Sequence, residues 1–190
     1  MIRRTGKTRS ETAGGSGERR NNMFASIGLA VGIIVGLIIC VLLAKFGNKD
    51  GAVKSKYDER QEAVRGKAYR YAFYSVMIYE ALMLVLEIGQ ITLPLPSYIL
   101  HFAGIIVGCI VLAGYCIWKD VYWGLNNNRK RYAVIFLVTA ALNAIPVVPM
   151  IAGKTTLDSG WLNVIVLIML AVIGIELIIK EVVDRREAEK

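Results

Sequence analysis

The sequence predicts an all-α fold, a polytopic transmembrane helical bundle of five spans, and three observations carry that reading. Five apolar runs (Phe24–Ala44, Tyr71–Leu93, Ser97–Trp118, Tyr132–Ala152 and Trp161–Ile179) each hold about the 20 residues that a helix needs to cross roughly 30 Å of hydrocarbon. Hydrophobic residues make up 55% of the 190-residue chain, with a mean hydropathy of +0.50, beyond an ordinary soluble domain. The connections between runs are too short to hold a soluble domain, which confines function to the bundle and its fringe. Backbone groups in lipid must bond within their own segment, so runs of this length are helices, and the alternating strands of a barrel are absent from the sequence.

Residues 1–22 form a basic tail rich in Gly, Ser and Arg, a composition that reads as disordered. The hydrophobic run behind it is too long for a cleaved signal peptide. Met23 stands directly before that run, and Glu18-Arg19-Arg20 can be encoded by a purine-rich stretch of the kind that recruits bacterial ribosomes. We therefore expect translation to start at Met23, which lowers the net charge from +8 to +4 by removing six basic and two acidic residues. The first span then carries Gly28, Gly32 and Gly36, continued by Cys40 and Ala44, with a small residue at every fourth position. Such residues lie on one face and let another backbone approach closely, either within the chain or in a second subunit.

The segment before the second span holds Ser55-Lys56-Tyr57-Asp58, which fits a capping box. A juxtamembrane helix over residues 55–70 follows, with Glu62 and Arg65 in supporting distance and Gly66 interrupting it at the membrane edge. It presents Asp58, Glu59, Arg60, Gln61 and Glu62, whose mixed charge suits a protein surface better than lipid headgroups. Tyr57-Asp58-Glu59-Arg60-Gln61, then Arg65-Gly66-Lys67-Ala68-Tyr69 and an aromatic entry into a span, resembles a pattern in small uncharacterised multi-pass membrane proteins of Gram-positive bacteria. The resemblance covers about a quarter of the chain. It implies a bacterial membrane protein and carries over no functional residue.

The second span is the most polar. Glu80 lies about 13 Å of helix rise from the inner end at Tyr71, and Glu87 falls on the same face. A charge at that depth costs a few kcal/mol or more, which makes intramembrane acids candidates for function. A tight turn over Leu93–Ser97 makes spans two and three antiparallel neighbours. Depth matching then sets Glu80 opposite Cys109 and Ile110, and Glu87 beside His101, the only histidine. In the fourth span Asn143 stands near Pro146 and Pro149, where backbone bonding is weakened. In the fifth, Glu176 sits one turn before Lys180 and can pair with it. Cys40, Cys109 and Cys116 all lie in spans and read as small buried apolar residues.

Lysine and arginine crowd 45–67, 119–131 and the C-terminal end, and none lies in the turn around Pro94 and Pro96. The basic segments belong in the cytoplasm, with the C-terminus in and the N-terminus out. Tyr69, Tyr71, Trp118, Tyr122, Trp123 and Tyr132 form an inner aromatic belt, and Tyr98 and Trp161 mark the outer face. This distribution accounts for the positive charge without nucleic acid. Gly153-Lys154-Thr155 ends like a phosphate-binding loop but lacks the upstream glycine, where Val148 stands. No serine elbow, zinc-protease motif or Cys-x-x-Cys pair occurs, so no catalytic residue, metal or cofactor is expected. The reading is a non-enzymatic membrane interaction protein of a bacterial cytoplasmic membrane: a regulatory, accessory or immunity-type subunit. Its expected partners are the bilayer, a membrane protein or a second copy of itself, and a cytoplasmic protein at 55–67. The alternative is a small oligomeric proton- or cation-linked carrier or channel built on Glu80, Glu87, His101 and Asn143.

Overall fold

The computed structural model describes residues 9–153 and 160–189. It consists of five helices: α1 (Arg9–Gly47), α2 (Glu59–Ile88), α3 (Ser97–Trp118), α4 (Arg129–Ile151) and α5 (Trp161–Ala188). All five are long and apolar enough to cross a membrane. Among the described residues there is no strand, only an isolated antiparallel bridge between Asn48 and Asn127. Residues Arg9 to Asn22 of the basic tail continue α1 as helix, where composition reads disorder. Extending an existing helix fixes one residue per hydrogen bond gained, so a long apolar helix readily propagates beyond its own apolar run.

The helices pack in single file. α1 touches α4, α4 touches α5, α5 touches α3, and α3 touches α2. No packing between α2 and α4, or between α1 and α2, closes the row among the described residues. The α2–α3 contact is the most extensive, and glycine explains it. A Cβ at Gly104 would lie 2.7 Å from the Tyr79 ring, and one at Gly108 would lie 2.5 Å from the Val76 side chain. The Gly104-x-x-x-Gly108 pair is therefore what lets these helices approach. The ridge of Gly28, Gly32 and Gly36 on α1 is the opposite case. An added Cβ would meet nothing within 4 Å at any of the three, so the ridge packs against no neighbour among the described residues.

One small core joins Ala68, Cys116 and Val121, and a second joins Ala113, Ile117 and Ile173. Cys116 is buried, whereas Cys40 and Cys109 are exposed on the open row rather than packed inside it.

Helix α2 begins four residues later than the first candidate cap. Asp58 is the N-cap, accepting from Gln61 N at 2.7 Å while Gln61 Oε1 accepts from Asp58 N at 3.2 Å. The box is thus Asp58–Gln61, not Ser55–Asp58. From there the helix runs through Gly66 without a break, since nothing crowds or bends the chain at that point. Its other end comes early. Gln90 takes a left-handed φ of 53°, Gln90 N donates to Glu87 O and Ile91 N to Leu86 O, and this closing motif stops α2 at Ile88 rather than Leu93.

Candidate functional site

The early stop of α2 resets its register against α3. Because α2 ends at Ile88 and α3 starts at Ser97, Glu80 comes opposite His101 and Gly104 rather than Cys109 and Ile110. His101 then bridges both acids. Its Nδ1 lies 2.7 Å from Glu80 Oε2 and its Nε2 lies 3.2 Å from Glu87 Oε1. Ser97 Oγ donates to the same Glu87 oxygen at 2.9 Å, and Tyr79 OH donates to Leu100 O at 2.9 Å just beneath. Gly104 leaves the room that the Glu80 carboxylate occupies, since a Cβ there would collide with Glu80 Oε1.

Proton counting defines this triad. A carboxylate accepts and cannot donate, so two imidazole–carboxylate hydrogen bonds need at least two protons among three groups. Either the ring carries both as imidazolium, or one carboxyl is protonated and donates to a neutral ring. With two protons the cluster bears one net negative charge, and a third, which the carbonyl oxygen of a protonated carboxyl permits, makes it neutral. Glu80, Glu87 and His101 are 35%, 48% and 41% exposed in the isolated chain, on a stretch of α2 and α3 that holds no Lys or Arg from Tyr71 to Trp118. Both ring nitrogens are engaged, which leaves no free histidine lone pair for a metal ion.

Asn143 does not join the triad. Its Nδ2 donates to Thr139 O at 2.8 Å within α4, and α4 has no contact with α2 or α3. Glu176 does not pair with Lys180. Its carboxylate fits against Gly114 of α3, and Oε2 is buried with no partner. Lys180 instead reaches Asp120 at 3.0 Å and Asp184 at 2.7 Å, tying α5 to the loop after α3. In the prong, Asp58 and Gln61 serve the cap, and Gln61 Nε2 also donates to Trp123 O at 3.5 Å. Glu59, Arg60 and Glu62 make no ion pair among the described residues, with Glu62 and Arg65 unlinked. Arg65 turns the other way: its guanidinium lies 4.0 Å over the Tyr57 ring and donates to Val121 O and Tyr69 OH.

The most developed polar structure lies at the opposite, basic end of the bundle. Asn48, Asn126 and Asn127 are all buried there. Asn127 Nδ2 donates to Asn48 Oδ1 at 2.7 Å and Ser55 Oγ at 3.0 Å, and its Oδ1 accepts from Gly124 N. Asn126 Oδ1 accepts from Lys56 N at 2.8 Å, and its Nδ2 donates to Asp50 Oδ1 at 3.0 Å. Asp50 and Lys56 close the knot with an ion pair at 2.8 Å. The Lys56 ammonium and the amides of Asn126 and Ala52 hold the Asp50 carboxyl far below the usual carboxylate range. The turn-forming Gly47-Asn48-Lys49-Asp50-Gly51 and Gly124-Leu125-Asn126-Asn127-Asn128 were the only signals for these residues, and each alone indicates just a loop.

Comparison with known proteins finds no matching family model, no matching curated protein and no matching solved structure. The geometry alone carries the functional argument.

Proposed function

We propose that this chain is a non-enzymatic subunit of a membrane assembly, regulatory or accessory in kind, in which α1 contacts another membrane helix. The observation that carries this reading is the unoccupied Gly28, Gly32, Gly36 ridge on a helix held only by α4. Small residues four apart are useful where two backbones meet, and among the described residues this ridge meets none. The triad supports the same reading. Ionisable side chains half-exposed in a span are costly against lipid, and a neighbouring subunit would cover them. Glu59, Arg60 and Glu62 would offer a cytoplasmic partner a surface of mixed charge. The charge distribution favours a bacterial cytoplasmic membrane with the knot end inside and the N-terminus outside.

The test is native mass spectrometry of gently extracted protein. The expected spectrum shows a stoichiometric complex that Gly32→Leu disrupts while the thermal stability of the released chain stays unchanged. A complex indifferent to Gly32→Leu and to Arg60→Glu would remove both surfaces from the account.

The second reading, a proton- or cation-linked carrier, is favoured by one observation: His101 shares protons with two carboxylates inside a span. In reconstituted vesicles, Glu80→Gln combined with Glu87→Gln would then abolish pH-driven flux while leaving assembly intact. Vesicles that show no flux with the unmodified protein would leave the subunit reading alone.

A further inference from the structure

A crevice of about 660 Å³ opens where the unclosed row leaves α2 and α4 apart at the basic end. Its body is apolar, formed chiefly by Ile135, Phe136 and Leu137 of α4 with Leu170, Leu177 and Ile178 of α5. Its mouth is of another kind: Arg65 and Arg129 stand among Tyr57, Tyr122, Trp123 and Tyr132. Among the described residues no carboxylate lines it. Neither arginine has an acidic partner among the described residues. Arg65 stacks over Tyr57 and bonds a carbonyl and a phenol, and Arg129 lies 5.9 Å over the Trp123 ring.

We propose that this crevice is a binding site for one anionic phospholipid. The phosphate would sit between the Arg65 and Arg129 guanidiniums, and an acyl chain would lie along Phe136 and Leu170. Three features of the site fit that occupant. Two uncompensated guanidiniums supply forked donors for a phosphate, a stronger match than ammonium groups give. The apolar body continues directly from the charged mouth toward the membrane interior, as a headgroup and its chain require. Interfacial tyrosine and tryptophan surround the mouth at the level where headgroups lie. Burial pushes the Tyr57 and Tyr122 phenols up, although Arg65 pulls back on both, so they stay neutral and able to donate to phosphate oxygen. Gly174 belongs to the same design. A Cβ there would come no closer than 3.4 Å to Phe136, so a larger side chain at 174 would fill the crevice rather than break the fold.

The experiment is thermal unfolding of the full chain, delipidated in a non-ionic detergent, with phosphatidylglycerol or phosphatidylcholine added. Phosphatidylglycerol is expected to raise the midpoint by about 5 °C near saturation, with phosphatidylcholine of the same chain length giving little. Native mass spectra should retain one phosphatidylglycerol per chain. Arg65→Gln with Arg129→Gln should lose the shift through the headgroup. Gly174→Leu should lose it through the chain while keeping both arginines, which guards against an arginine variant that fails to fold. Equal shifts from the two lipids overturn the proposal, as does a shift reproduced by inorganic phosphate alone. So does a stabilisation that depends on protein concentration, which would place a second copy in the crevice.

Discussion

Asn127 joins two loops that lie more than seventy residues apart in sequence, and its amide is used at both ends. Replacing it with alanine would orphan the buried Gly124 N and take from Asn48 Oδ1 its closer donor, leaving that oxygen only Tyr132 OH at 3.2 Å, and a buried unsatisfied group costs about 1–3 kcal/mol. Asn127→Ala is therefore expected to lower stability by about 1–3 kcal/mol, read as a fall in the unfolding midpoint in detergent. Asp50 adds a dependence on pH. A carboxyl held below its unfolded value stabilises the fold above that value, near pH 4, and loses the contribution as acid protonates it. Stability should thus decline as pH falls below about 5, and Asp50→Asn should flatten that decline. An identical acid limb in the variant would mean that the Asp50–Lys56 pair does not hold the loops. Neither residue announced itself in the sequence, because the knot is made of long-range pairings. Gly-Asn and Asn-Asn-Asn mark turns locally, and nothing local says that two turns interlock.

At the scale of elements, two glycine patterns with the same spacing have opposite fates. Gly104 and Gly108 admit Tyr79 and Val76 of α2, whereas Gly28, Gly32 and Gly36 admit nothing among the described residues. Gly108→Leu should cost about 1–3 kcal/mol by forcing α2 and α3 apart, and Gly32→Leu should leave the unfolding midpoint of the isolated chain in place. Thermal unfolding of both variants checks the pair. The five helices themselves were legible, since apolar length and the demand for internal backbone bonding leave no other structure in lipid. Their relative register was not. It turned on whether α2 stopped at Ile88 or Leu93, and that depended on Gln90 taking a left-handed conformation that glycine favours and glutamine does not. The pairing of His101 with Glu87 survived that error because His101 spans both acids. The pairing of Glu80 with Cys109 did not. Asn143 is polar and stands near Pro146 and Pro149, and neither property says which helices are neighbours.

At the scale of the whole molecule, charge and packing divide along the same axis. The end that carries the asparagine knot also carries Lys45, Lys49, Lys54, Lys56, Arg129, Lys130 and Arg131, and the Gly89–Pro96 turn beside the triad carries no Lys or Arg. Basic loops resist translocation, which is the ground for the proposed orientation with the knot end inside, and the Asp120–Lys180 pair binds the far end of α5 to the same side. The basic residues at the start of α1 run against that assignment, because odd span number places them on the other face. Cysteine accessibility in sealed cells distinguishes the two demands. With Cys40, Cys109 and Cys116 replaced by serine or alanine, a single cysteine at Gln90 should react with a membrane-impermeant maleimide from outside, and one at Lys54 only after permeabilisation. Labelling of both positions at comparable rates would mean that the first 22 residues, rather than the knot, govern insertion, and that mixed orientation is a property of the chain beginning at Met1.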